Sequence, residues 1–169
     1  MDVLGRILRT VSLAMLFGGS TAIVFAAIVL VNAAKAKGVP VPEAAANNAP
    51  VFITYAYVNL VFGILLLVGE ALDFAKRRVW NGPTKGQYVC SLLCVIATMV
   101  FAFAIVPPME RLLPHVKDDK QAQQEFHHWH EISRGVFGSG IVFALASLIL
   151  PIFGAMQSST PATTGSESA

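Results

Sequence analysis

Charge is scarce in this sequence. Lys and Arg total 12 and Asp and Glu 10, only 13% of 169 residues, for a formal net charge of +2. So small a balance gives no footing for a nucleic-acid partner, and the basic residues sit beside apolar runs, where they read as topology signals. A polar helical face is missing too: a soluble α-bundle would show one at i, i+3 and i+4, and residues 11–31 do not. No lipidation is expected, because Met1-Asp2 lacks the glycine for myristoylation and Ser166-Glu167-Ser168-Ala169 contains no prenylatable cysteine. Cysteine numbers two, Cys90 and Cys94, one turn apart with Thr98 on the same line. That is not a Cys-x-x-Cys spacing, neighbouring turns do not present disulfide geometry, and packing is the expected role.

What the chain has in abundance is hydrocarbon, with 55% hydrophobic residues. Four runs, residues 11–31, 51–72, 88–106 and 132–153, carry almost no ionisable side chain, and each matches the ~30 Å of a bilayer core. Only helices or closed barrels satisfy their backbone hydrogen bonds in lipid. The expected fold is all-α, an integral membrane four-helix bundle over residues 1–156, with a disordered polar tail at 157–169. Arg6 and Arg9 ahead of the first run, with Ala34-Lys35-Ala36 after it, resemble a signal peptide. An apolar core of about 21 residues exceeds the ~7–15 of a signal sequence and predicts a retained helix.

Residues 35–50, with Pro40, Pro42 and Pro50, read as an exposed loop that breaks helices. Residues 73–87 read as a basic connection around Asn81-Gly82-Pro83, with Trp80 and Tyr88 at headgroup level. Pro107-Pro108 reads as the stop of the third span, and the polar stretch to Glu131 as a short amphipathic helix running into the fourth. Arg6, Arg9, Lys76, Arg77, Arg78 and Lys85 fall on one side of the membrane; Lys35, Lys37, Arg111, Lys117 and Lys120 fall on the other, with Arg134 just inside span four. The compact Lys76-Arg77-Arg78 cluster marks the first side as cytoplasmic, with both termini there. Small residues at i, i+4 mark faces for close helix approach: Ala14, Gly18, Ala22 and Ala26 in span one, Gly140 and Ala144 beside Gly135 and Ser139 in span four. They are expected to pack within the bundle, with a homodimer or another membrane protein left open as partner beside the lipid itself.

All four histidines, His115, His127, His128 and His130, fall in one loop and its junction with span four. On a helix His127 and His130 share a face with Glu131, while Glu125 and His128 form a Glu-x-x-His pair of the di-iron type. Di-iron bundles need that pair twice, and here it occurs once. A solvated interfacial turn with Trp129 is the alternative to a metal or proton site at His127, His128, His130 and Glu131. A bis-histidine haem has no second ligand on another span, and no cofactor is expected. In span two, Tyr55, Asn59, Gly63 and Glu70 share a face; Asn59 is expected to hydrogen-bond to another helix. Glu70, about two turns from Lys76-Arg77-Arg78, is expected to reach headgroup water or pair with a base, with ion passage as the other reading.

The junction reads Glu125-Phe126-His127-His128-Trp129-His130-Glu131-Ile132-Ser133, and its Phe-x-x-x-His-x-x-Ser pattern, Phe126, His130 and Ser133, resembles the transmembrane protein 205-like family. The likeness extends over residues 11–153, including small-rich Leu16-Phe17-Gly18-Gly19 and the Pro-containing exit Pro107-Pro108-Met109-Glu110-Arg111. It implies four membrane helices and makes His130 the family histidine, with His127 and His128 as additions of this chain. Some relatives place an Asn one turn after the Ser, where Phe137 stands here. The resemblance implies no activity. A neutral His130 is expected to tie the start of span four to the Pro107–Arg111 segment.

No nucleophile–base pair, phosphate loop or complete metal set is visible. The expected function is therefore a structural or accessory membrane component without catalysis. The alternative is a small transporter or metal-handling protein that captures through the His cluster with Met109 and conducts past Asn59 and Glu70.

Overall fold

The computed structural model describes residues 3–76 and 81–158, and these form helices joined by short turns, without strands. Four long rods result: α1, Val3–Ala36; α2, Val41–Lys76; α3, Gly82–His115; and α4, Lys120–Ser158. Each contains a stretch long and apolar enough to cross a membrane, and the chain is an all-α integral membrane bundle. At 1.5 Å per residue, rods of 34 to 39 residues run ~50–58 Å, well beyond a ~30 Å hydrocarbon core, so their ends reach through the headgroup layer. Outward faces are greasy: Phe25 is 69%, Phe103 63% and Val142 62% exposed, which lipid tolerates and water does not.

The helix ends explain why the polar connections are shorter than the sequence suggests. Residues 41–50 are helical, so the expected loop at 35–50 shrinks to the few residues between α1 and α2. Gly38, at φ +81°, closes α1: its N–H donates to Lys35 O at 3.0 Å and that of Val39 to Ala34 O at 3.1 Å, a Schellman turn that needs a residue without Cβ. Pro42 stands in the first turn of α2, where its missing N–H costs nothing, and Glu43 there faces the positive helix end. Asn81-Gly82-Pro83, expected as a turn, is the start of α3: Asn81 Oδ1 caps Thr84 N–H at 3.0 Å. Asp119 caps α4 in the same way, accepting from Gln121 N–H at 2.8 Å.

Pro107-Pro108 does not stop span three. A π turn at Phe101–Ile105 precedes the prolines, which then occupy the first turn of a helical segment running to Leu112, and a 3₁₀ turn carries α3 on to His115. The wider turn lets the rod pass two residues that cannot donate an amide hydrogen. The polar stretch is one continuous helix with span four only from Lys120 on; its earlier part, up to His115, belongs to α3. Arg77, Arg78 and Trp80 lie outside the described residues, as does the side chain of Lys76. The predicted disordered tail falls outside them from residue 159 onward.

Packing is uneven around the bundle. α3 and α4 make the most extensive contact, followed by the Val3–Ala14 part of α1 against α2. The latter crossing depends on Gly5 and Gly69: a Cβ at Gly69 would lie 2.8 Å from Arg9 N and 3.0 Å from Gly5 O. The expected small-residue ridge of span one is not the contact. Ala14, Gly18, Ala22 and Ala26 all face outward, because Ser12, Leu13, Leu16 and Ser20 take the inner face. In span four the Gly140–Ala144 line does pack inward: Ala144 is fully buried, and a Cβ at Gly140 would touch Ala97 at 3.6 Å. Gly135 faces open space instead, and Ser139 donates to Val136 O of its own helix. Cys94 is buried among Leu13, Leu16, Leu66, Val95 and Ala144, which is the packing expected of it, while Cys90 is half-buried outside that cluster, and both are free.

Candidate functional site

Glu70 lies in a buried polar cluster close to the Gly5–Gly69 crossing, and every helix feeds it. Its Oε1 accepts from Ser91 Oγ at 2.6 Å, and Gln87 Nε2 donates at 3.1 Å to Oε2 and 3.4 Å to Oε1. Ser91 owns a single proton; having given it to Glu70, it accepts from Ser147 Oγ 2.6 Å away, so two hydroxyls relay from α4 through α3 to the carboxylate. From α1, Arg9 Nε stands 3.8 Å from Oε1, an ion pair without a hydrogen bond, with side-chain exposures of 12% and 8%. One turn along α2, Asp73 Oδ2 accepts from Tyr88 OH at 2.9 Å. Glu70 and Asp73 are i, i+3, Gln87 and Ser91 are i, i+4, and Arg9 and Ser12 are i, i+3, so α1, α2 and α3 each present a polar pair on one stripe, and α4 adds Ser147.

The chemistry of the cluster is that of a held charge. Charge-assisted hydrogen bonds in a low-dielectric interior are the strong ones, and a buried carboxylate without them would be very costly. Arg9 Nε, Ser12 Oγ and Gln87 Oε1 are buried here without a hydrogen-bond partner. The base that Glu70 pairs with is therefore Arg9, which the sequence offers as a topology charge, and the carboxylate does not reach headgroup water. Ser91, Gln87, Asp73 and Ser147 carry no mark in the sequence beyond their helical spacing.

Farther along the bundle, Asn59 Nδ2 donates to Ser20 Oγ of α1 at 3.2 Å, the cross-helix bond expected of it. Asn59 also lines a void of about 20 Å³ with Ser20 and Thr98, and its Oδ1 is buried without a partner. Tyr55 OH donates to Met15 O at 3.0 Å, inside a π turn at Met15–Gly19. The face of Tyr55, Asn59, Gly63 and Glu70 is thus buried along its whole length.

The three motif residues contact one another through His130 along one helix. Phe126 is buried in the larger core cluster, its ring parallel to that of His130 at 6.5 Å. Ser133 Oγ donates back to His130 O at 2.6 Å. His130 is half-buried beside a cleft that Met109 also lines, but among the described residues its ring makes no hydrogen bond to the Pro107–Arg111 segment. His127, His128 and Glu131 are exposed, and Glu131 accepts from Arg134 Nη1 at 2.9 Å. Among the described residues no three His, Cys, Asp or Glu groups come close enough together to hold a metal ion.

The family described as Domain of unknown function (DUF4149) matches residues 11–115. The chain belongs to the DUF4149 family. The matched stretch takes in Tyr55, Asn59, Glu70, Asp73, Gln87 and Ser91, the α2 and α3 parts of the buried network. It ends at His115, ahead of α4, so Phe126, His130 and Ser133 lie beyond the DUF4149 match, as does Ser147. Among curated proteins and among solved structures, none matches the chain.

Proposed function

We propose that this DUF4149 protein is a non-catalytic membrane component of the transmembrane protein 205-like type, structural or accessory in role, with both termini in the cytoplasm. The observation that carries this reading is the Glu70 network: the ionised group of the second span is committed to Arg9, Gln87 and Ser91, and through Ser91 to Ser147, which joins all four helices. An intramembrane carboxylate is a functional candidate by default. Here every partner of Glu70 among the described residues belongs to another helix of the same bundle, which is what a clamp requires. The cytoplasmic assignment of the Glu70 end rests on Lys76-Arg77-Arg78 beside it.

The second reading, a small transporter, is favoured by Asn59 and Ser20 lining a void midway along the spans. Proteoliposomes carrying wild type and Glu70→Gln separate the two. The clamp reading expects proton and divalent-metal flux at the level of protein-free vesicles for both proteins, and a lower unfolding temperature for Glu70→Gln. Flux above that level in the wild type, lost in Glu70→Gln at unchanged stability, would establish the transporter and end the accessory reading. A reporter fused to the C-terminus that is active only in the cytoplasm checks orientation.

A further inference from the structure

The bundle has a gap on one side. From Ser20 onward α1 leans on α2, while α4 leans on α3, and α1 meets α4 mainly through its residues up to Gly19. Between the diverging halves lies a cleft of about 460 Å³, within the ~300–1,000 Å³ of sites that take small ligands. It is floored by aromatic rings: Phe137 stands 5.0 Å from Phe101 and 5.9 Å from Phe52, centroid to centroid.

Polarity changes along its length. The deep end is walled by Val24 of α1 and Ile141 of α4, and the other end by Asn32 of α1 with His130 and Arg134 of α4. Antiparallel α1 and α4 set these residues level in pairs, so the change from hydrocarbon to hydrogen-bond donors takes 11 residues of α4, ~16 Å. Arg134 is the fixed charge among the lining residues, and no carboxylate lines the cleft. Only its Nη1 is engaged, by Glu131, which leaves guanidinium donors for a ligand. A site that opens sideways between two membrane helices is filled from the bilayer. What matches apolar depth, an end with His130, Asn32 and the guanidinium donors that Glu131 leaves free on Arg134, and this access is a membrane lipid with an anionic head.

We propose that the cleft holds one acyl chain of an anionic phospholipid of the surrounding bilayer, its phosphate bound at Arg134, His130 and Asn32. The inference is independent of the clamp at Glu70. Gly138 supplies a clean probe: it lines the cleft, and a Cβ there would meet nothing within 4 Å, so a larger side chain fills lipid space without displacing protein.

The test takes the full chain from mixed micelles containing equal phosphatidylglycerol and phosphatidylcholine, removes loose lipid, and counts retained lipid by native mass spectrometry. Wild type is expected to hold phosphatidylglycerol about tenfold over phosphatidylcholine, ~1.4 kcal/mol. Arg134→Gln is expected to keep a lipid and lose the preference, and Gly138→Phe to lose the lipid at an unchanged unfolding temperature. Should Gly138→Phe fold poorly, Ile28→Trp from the α1 wall gives the same readout. No retained lipid in the wild type, equal retention in the filled variants, or an undiminished preference in Arg134→Gln overturns the proposal.

Discussion

A methyl group on Gly69 would sit 2.8 Å from the Arg9 backbone nitrogen and 3.2 Å from its Cα, atoms that cannot swing aside as a side-chain tip can. Gly69→Ala therefore has to push α1 off α2, and the expected loss is about 1–3 kcal/mol, the usual range for overpacking. Gly135, exposed on α4 with nothing within 4 Å of a Cβ, is the control. Gly135→Ala is expected to hold or raise stability, by at most about 1 kcal/mol of helix propensity. Unfolding midpoints of the two variants in one detergent check the contrast; equal losses would show that the crossing is not where helix approach is limited. At this scale the sequence is half legible. Glu70 and Asn59 stand out because polar groups in apolar runs must be satisfied, but their partners depend on how helices rotate against each other. Arg9 has the look of a flanking charge, and only a fold that brings α1 against α2 turns it inward. The same rotation sends Ala14, Gly18, Ala22 and Ala26 outward: a small-residue ridge states that close approach is possible, and Gly5 with Gly69 made it elsewhere.

The elements themselves follow from hydropathy, because ~20 apolar residues in lipid have no alternative to a helix. Their ends do not, since outside the hydrocarbon the choice returns to local chemistry. Pro42 and Pro83 are read as breakers, yet both occupy first turns, where the missing N–H has no acceptor to lose, while Pro50 and Pro107-Pro108 lie within rods that run on past them. The π turns at Met15–Gly19 and Phe101–Ile105 carry no sequence signature at all. The first is pinned by Tyr55, whose hydroxyl donates to Met15 O over Gly19, where any Cβ would collide with that hydroxyl. Tyr55→Phe is expected to cost about 1 kcal/mol, the net worth of one hydrogen bond, with helix content unchanged. Gly19→Ala is expected to cost more, because it displaces the ring as well as the bond. Circular dichroism with thermal unfolding checks both, and a silent Tyr55→Phe would show that the turn stands on its own packing.

At the scale of the whole molecule the bundle is a clamp at one end and a cleft at the other. The Glu70 cluster draws α1, α2, α3 and α4 together around one charge, and beyond the π turn α1 diverges from α4 and opens the lipid-sized gap. α4 serves both: Ser147 joins the clamp and Gly138 lines the cleft, nine residues and ~13 Å apart along a stiff rod. Sites that distant, with no shared partner, should contribute additively to within about 0.5 kcal/mol. Glu70→Gln leaves Arg9 facing a neutral amide, and breaking a buried pair in this one-sided way costs about 3–5 kcal/mol in proteins, less where the unfolded chain in the membrane finds other partners. The expected pattern is therefore crossed: Glu70→Gln lowers the unfolding temperature and keeps the anionic lipid, Gly138→Phe keeps the temperature and sheds the lipid, and the double variant shows both effects at their separate sizes. A double variant that departs from this sum by 1 kcal/mol or more would mean that α4 transmits between clamp and cleft, because the lipid would then be part of what holds the four helices together.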